Sequence, residues 1–268
     1  MSDRRAPIRE RAWAAGSGGR PRRLSETDLR ERILGTAVAM LTESGGLTVS
    51  MAHLNMEELI RIADVPRSSV YRTWGSKEAF HLDLMERMLE PGPDGTYADE
   101  VAGIARAVLS EHRDRLGSPE GRRAVFEELV RCTITEIFYG ASRSLAWRSF
   151  TALAVALPTL DPAGHDRILA ALATSHAQII GRVADLYTEM IPTLGMRMKD
   201  GFDVRTLAAT GSSVMDGLIR LSLTDPITVA SRTVRTGIDG QPIGWELPAV
   251  AFLAIMDAMA ELDPDFRA

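Results

Sequence analysis

Six residues in one short stretch carry the most distinctive chemistry of this chain: Arg67, Ser68, Ser69, Tyr71, Arg72 and Thr73. They supply hydroxyl and guanidinium donors, an aromatic hydroxyl and two fixed positive charges, and no acid lies among them. On the outer face of a helix, such a set suits a groove lined by phosphates and base edges. A solvated helix in an ordinary bundle is the plainer reading of the same local pattern.

Other chemistry is thinly supplied. The five histidines (His53, His81, His112, His165 and His176) share no metal-ligand spacing. His165 and His176 fall on one predicted helix, but eleven residues set them ~16 Å apart along its axis, too far to hold one ion. Cys132 is the single cysteine, which excludes an intramolecular disulfide framework and a cysteine-based zinc site. Flanked by Thr133 and Thr135 on an apolar helix, it reads as a small buried hydrophobe rather than a nucleophile. There is no Gly-rich phosphate loop and no nucleophile elbow. The sequence implies no enzyme, no cofactor and no metal.

The elements that must position the donor face follow from periodicity. Leu59, Ile60 and Ala63 form a buried stripe on a helix over Met56–Ala63. Asp64-Val65 breaks the run, and Pro66 suits a helix start because the first turn has no use for its missing N–H. The next helix, Arg67–Trp74, turns Val70 and Trp74 inward. Ser76 caps a further helix, Lys77–Glu90, with Phe80, Leu84 and Met88 on its inner side, and EPGPDG stops it. Ahead of this unit, Ser25 and Asp28 resemble a capping box. Ile33, Ala37, Met40 and Leu41 then share one face until Gly45-Gly46 ends the helix. LTVSMAHLN reads as an ordered connector, with His53 a packed or loop histidine.

Length and charge frame these pieces. The 268 residues can bury a large core, and 45% apolar with 25% charged residues is ordinary for a globular protein. No apolar run reaches the ~18–20 residues of a membrane span, and the first residues lack the apolar core of a secretory signal. The chain therefore reads as cytoplasmic. Net charge is −5, yet residues 1–23 hold seven arginines against Asp3 and Glu10, so a +5 arm precedes a globule of −10. That balance disfavours indiscriminate coating of nucleic acid. A flexible basic arm of this kind either adds phosphate or minor-groove contacts or has no role.

Taken together, Leu29 to Leu89 resembles the DNA-binding domain of the TetR family of bacterial transcriptional regulators. The matching pieces are ERILGTAVAMLTESGG and MEELIRIADVPRSSVYRTWGSKEAFHLDLM. Most specific is the core from Val65 to Phe80, with Tyr71 three residues before Trp74 and Lys77 three after it. Two departures stand in the turn: Asp64 where Gly is usual, and Pro66 where Ser or Thr is usual. Asp tolerates the left-handed conformation better than most residues. The connector after Gly46 is also longer than usual. The resemblance implies that Tyr71 and Lys77 hold DNA phosphates, with Lys77 at a helix start that itself favours anions. It places Arg67, Ser68 and Ser69 at the end of the recognition helix that meets base edges. Arg67 and Arg72 can each present a planar fork to guanine, and Thr73 can meet a phosphate or a thymine methyl; a purely phosphate role for Arg72 stands beside that reading.

Beyond a linker ending at 95, residues 96–268 read as a larger helical domain with helices over Tyr97–Leu116, Glu120–Tyr139, Ser142–Leu157, Pro162–Ile191, Asp203–Leu223 and Leu247–Leu262. The last two are so apolar that they are either central core helices or the self-complementary patch of a homodimer. The dimer reading, which the family resemblance reinforces, names Leu207, Val214, Leu218, Leu221, Val250, Leu253 and Ala254. Between them, ITVASRTVRTGIDGQPIGWEL alternates and contains Asp239-Gly240, which predicts a short β-hairpin. The expected fold is all-α: an N-terminal three-helix helix-turn-helix domain (24–75), a connecting helix and linker (76–95), and a C-terminal bundle with that hairpin before its last helix.

The resemblance further implies a small-molecule effector held in the C-terminal domain and a dimer reading a palindromic operator in double-stranded DNA. Phe126, Cys132, Tyr139, Trp147, Phe150 and His176, as aromatic or polar groups on apolar helices, are candidate pocket residues, against the plainer reading of core packing. Two other functions stay open: a ligand-independent architectural or activator protein, and a small-molecule binding module that has lost DNA affinity.

Overall fold

Helix starts along this chain are marked by side-chain oxygens that accept otherwise unpaired backbone N–H groups. Ser25 accepts from Asp28, Asn55 from Glu57, Ser76 from Ala79 and Asp203 from Thr206, at 2.6–3.1 Å. Each such cap is worth about 1 kcal/mol. The computed structural model describes residues 24–43, 54–90 and 96–266, and among these it holds eleven α-helices and four short strands. The all-α expectation is met. The arginine-rich arm, the connector with His53 and most of the EPGPDG linker lie outside the described residues.

Three helices make the first layer: α1 (Glu26–Glu43), α2 (Met56–Ala63) and α3 (Arg67–Thr73). Leu29, Ile33, Ala37 and Leu41 of α1 close over Leu59 of α2 and Val70 of α3, and all are buried. Between α2 and α3 the chain turns through Asp64, whose φ of 50° and ψ of 57° lie in the left-handed region. The Asp-for-Gly departure is thus accommodated in the conformation that the turn demands. Pro66 stands one position outside α3, as its N-cap, rather than inside its first turn.

The next helix, α4 (Lys77–Leu89), serves two cores at once. Phe80, Leu84 and Met88 complete the three-helix core. Leu82, Met85 and Leu89 turn the other way, into a cluster with Phe150 and Leu153 of α7 (Leu145–Ala156) and Ile168 and Leu172 of α8 (Pro162–Thr193). A small residue permits this approach, because a Cβ on Gly164 would sit 3.2 Å from Leu82.

A third and larger cluster unites α5 (Thr96–Glu111), α6 (Pro119–Arg143), α9 (Val204–Thr224) and α11 (Leu247–Met259). Gly211 of α9 lets Phe252 of α11 come close, since a Cβ there would meet the ring at 2.8 Å. Phe252, Leu253 and Met256 are buried on α11, as is Leu207 on α9. Leu207 (0% exposed) and Leu253 (2%) therefore have no surface to offer a second copy, which corrects their assignment to a dimer patch. The apolarity of α11 comes largely from enclosure by α6, α9 and the hairpin.

The hairpin pairs β2 (Arg232–Thr236) with β3 (Pro242–Glu246) in antiparallel register, Arg232 opposite Glu246. Its turn spans Gly237–Gln241, with Gly240 at a φ of +83° and the side chain of Asp239 accepting from the N–H of Gln241. The preceding ITVA segment, expected in the hairpin, instead forms α10 (Pro226–Ala230), capped by Asp225. The last predicted helix also stops early. Ala260–Leu262 forms β4, which pairs with β1 (Met196–Met198) in a segment read from sequence as a plain separator.

Candidate nucleic-acid interface

The outer face of α3 presents the predicted donors. Arg67, Ser68, Tyr71 and Arg72 are exposed, and Ser69 and Thr73 are half-buried against the layer beneath. Val70 and Trp74 face inward, 1% and 3% exposed, and fix how the helix sits. Lys77 is exposed at the first position of α4, one residue after the capping Ser76. Arg72 and Lys77 form no ion pair with a described residue. Beside α3 runs an open groove of about 690 Å³, lined by Leu29 and Arg32 of α1 and by Asp64, Ser69, Arg72 and Thr73. The groove also carries the carboxylates of Glu26 and Asp64, so the donors are concentrated on the ridge of α3 and at Lys77.

A further acid meets the ridge of α3 from the neighbouring helix. Glu57, in the first turn of α2, accepts a hydrogen bond from the Tyr71 hydroxyl at 2.8 Å. The same oxygen, Oε1, lies 2.9 Å from the guanidinium of Arg67. Arg67 in turn lies 5.5 Å from the centroid of the Tyr71 ring. Sequence reasoning found α3 free of acids, which is correct, but missed that the turn folds Glu57 against it. Two acids in the first turn of α2 were the available signal, and helix capping was the simpler explanation for them.

A second set of charges lies beneath the donor surface and was not anticipated. Asp83 of α4 is buried, and its Oδ2 accepts from the Trp74 indole at 2.7 Å and from Arg30 of α1. Its Oδ1 accepts from Arg167 of α8 at 2.7 Å, and Arg167 also pairs with Glu86. Burial pushes the Asp83 carboxyl up, but hydrogen bonds from Arg167 and Trp74 and the charges of Arg30 and Arg167 outweigh it. The carboxyl is held below its ordinary value of 3.8. One carboxylate thus ties the base of α3 to α1, α4 and α8.

The six predicted pocket residues are not brought into one place. Phe126 is buried in the large cluster, with Cys132, Tyr139 and Trp147 packed against it. Phe150 lies instead in the α4–α7–α8 cluster. His176 is exposed on α8, with its ring centroid 6.3 Å from that of Phe150. Tyr139 donates to Glu246 of the hairpin at 2.9 Å, and the Trp147 indole donates to Asp216 of α9 at 2.7 Å. Neither the groove beside α3 nor a 40 Å³ cavity under the hairpin is lined by any of the six. Burial, then the Glu128 carboxylate, pushes the Cys132 thiol up to about 11.

Comparison with known proteins adds a partial match. A scan against protein-family models gives none that fits the sequence. Over 98 residues the chain is 28% identical to the HTH-type transcriptional repressor NemR of Escherichia coli K12, and equally to NemR of a second E. coli strain, O6:H1. The match covers 32% of this chain and 46% of the repressor, so the chain spans about half the length of the curated relatives it matches. Among solved structures, E. coli NemR in its reduced form aligns with a TM-score of 0.45 at 14% identity, over 88% of this chain and all of that one. A TetR-family regulator from Rhodococcus sp. aligns with a TM-score of 0.40 at 17% identity, over 85% and 96% of the two chains. Among the described residues, α2 and α3 join through the Asp64 turn as a helix-turn-helix and helices make up most of the rest, and over part of its length the chain is similar to an HTH-type transcriptional repressor.

Proposed function

We propose that this chain is a DNA-binding transcriptional regulator that acts as a homodimer on a palindromic operator. The observation that carries the reading is the outward face of α3, where Arg67, Tyr71 and Arg72 stand exposed beside Lys77 at the start of α4. Arg72 and Lys77 are available to phosphates, and Arg67, Ser68 and Ser69 occupy the end of the helix that reaches base edges. The name of the matched repressor makes repression the expected mode.

A homodimer would present two such helices one DNA turn apart, about 34–36 Å, to a two-fold symmetric site. The surface favoured for pairing lies on α8 and the end of α9, where Ile179, Leu186, Leu221 and Leu223 are exposed. Val214, Leu218 and Val250 retain partial exposure, Ala254 is exposed, and all four stay within this reading. An effector in the helical domain would act through α4, whose two faces pack into both cores. A ligand that favours one arrangement of α4 over another shifts DNA affinity by its differential binding. The walls of that site are proposed among Phe126, Tyr139 and Trp147 of the large cluster, with Cys132 beside them; Phe150 and His176, which lie elsewhere, leave this reading.

The test is selection of a preferred sequence from a randomised duplex pool, followed by footprinting and salt titration. A two-fold symmetric footprint lost on Tyr71→Ala or Lys77→Ala is expected. Equal affinity for all duplexes, or none at low salt, overturns the reading.

A further inference from the structure

We propose that Glu57 is a specificity-determining residue that keeps Arg67 and Tyr71 from gripping DNA phosphates at arbitrary sequences. The inference rests on the reading of α3 as a recognition helix. Its basis is one oxygen: Glu57 Oε1 accepts from the Tyr71 hydroxyl at 2.8 Å and pairs with the Arg67 guanidinium at 2.9 Å. All three side chains are substantially exposed, Glu57 at 47% and Arg67 at 67%. An exposed pair of this kind adds little to folding. Its position is what matters, because it is an acid on the surface that meets a polyanion.

The three side chains act as one unit. Arg67 is held by Glu57 through one nitrogen, which leaves other N–H groups of its fork to meet a guanine edge. The same carboxylate repels any phosphate that approaches the guanidinium from the backbone side, and it occupies the Tyr71 hydroxyl hydrogen. Base-edge contact therefore keeps the pair, whereas a generic phosphate contact must break it and then lie beside an unpaired carboxylate. Specificity grows as much from such a penalty on the wrong partner as from contacts to the right one. Arg72 and Lys77, which form no ion pair with a described residue, supply the sequence-independent attraction.

Glu57→Gln tests this, because Gln keeps an acceptor for Tyr71 and loses the charge. Binding of the full chain is measured against its selected duplex and a scrambled duplex of the same length, across a salt series. Glu57→Gln is expected to tighten the scrambled duplex by about fivefold or more and to steepen its salt dependence by about one phosphate contact. The selected-to-scrambled ratio should fall by about tenfold. In an Arg67→Ala background the same substitution should change the ratio little. A selective parent chain whose Glu57→Gln variant keeps its ratio overturns the inference alone, as does an undiminished effect in the Arg67→Ala background. A parent chain with no preferred sequence overturns the regulator reading and the inference with it.

Discussion

The indole N–H of Trp74 donates to Oδ2 of Asp83 at 2.7 Å, at the base of α3. Asp83 also receives Arg30 and Arg167, so its carboxylate is the common acceptor for α1, the end of α3 and α8. Trp74 gains doubly, because the Arg30 guanidinium lies 5.4 Å from its ring centroid and Phe80 meets it edge-on at 5.4 Å. The helix that carries the donors is thus clamped from beneath by polar bonds as well as by apolar packing.

Asp83→Ala leaves the Trp74 indole N–H without its acceptor and takes one of two carboxylates from Arg30, which keeps Glu26, and from Arg167, which keeps Glu86. The arginines retain partial exposure, which limits the cost to about 2–3 kcal/mol. Asp83→Asn keeps an acceptor for Trp74 and should cost less. Denaturant midpoints of the purified variants measure both. The same carboxylate gives the stability a definite acid dependence. Because its folded pKa is depressed, its contribution is fully present above the ordinary value of 3.8 and is lost as pH falls through the folded value. The stability gap between parent and Asp83→Asn should therefore narrow under acid and stay constant near neutral pH.

On the donor face, single removals should read out as lost phosphate contacts. Lys77→Ala is expected to weaken binding to selected and scrambled DNA alike and to reduce the salt slope by about one. Tyr71→Phe removes the hydroxyl that Glu57 occupies but leaves the Glu57–Arg67 pair in place. It should therefore change the selected-to-scrambled ratio less than Glu57→Gln does. Arg67→Glu places a second acid beside Glu57 and should abolish site selection while leaving the oligomeric state unchanged. Footprinting and sedimentation on the same preparations separate the two effects.

What could be read from the sequence was local. The span of α2, the ends of α3 and α4 and the inward turn of Trp74 follow from spacing and caps within a few residues. The left-handed Asp64 was legible for the same reason. Contacts across long separations were not. Glu57 reaches Tyr71 because a turn of fixed geometry folds α2 on α3. Arg167 reaches Asp83 across 84 positions, and nothing in either neighbourhood signals the partner. Phe126 and Phe150 look alike in sequence but belong to separate clusters, because α6 and α7 face different neighbours. For α11, apolarity all round is shared by core helices and interfaces, so periodicity could not choose between them. Its last turn became β4 because the strand partner, Met196–Met198, lies far back in the chain.

Core and interface on α9 can now be separated by two substitutions. Leu207 is fully buried, and Leu207→Ala should cost about 2–5 kcal/mol of stability through the cavity it leaves. Leu223 is 76% exposed near the end of the same helix. Leu223→Glu should leave the fold intact and weaken self-association if α9 forms the pairing surface. Sedimentation at several concentrations, with the midpoint of thermal unfolding as control, tests the pair. A Leu223→Glu chain that associates as tightly as its parent removes the end of α9 from the interface.

Cys132 offers a check on the helical domain that is independent of DNA. Its sulfur lies 3.3 Å from Glu128 Oε1 and 3.1 Å from the Arg131 guanidinium, on a half-buried stretch of α6. Burial and the adjacent Glu128 carboxylate outweigh the favourable Arg131 charge, and the thiol is pushed up to about 11. The thiolate, which is the reactive form, should therefore be scarce at neutral pH. A thiol of ordinary pKa, about 8.5, carries a few per cent thiolate near pH 7, so Cys132 should react with a disulfide reagent at least tenfold more slowly. Glu128→Gln removes the repelling charge and frees Arg131 from its partner, so labelling should speed up. If labelling of the native chain is instead as fast as that of the unfolded chain, α6 is open at this position and the packing around Cys132 is looser than its neighbours imply.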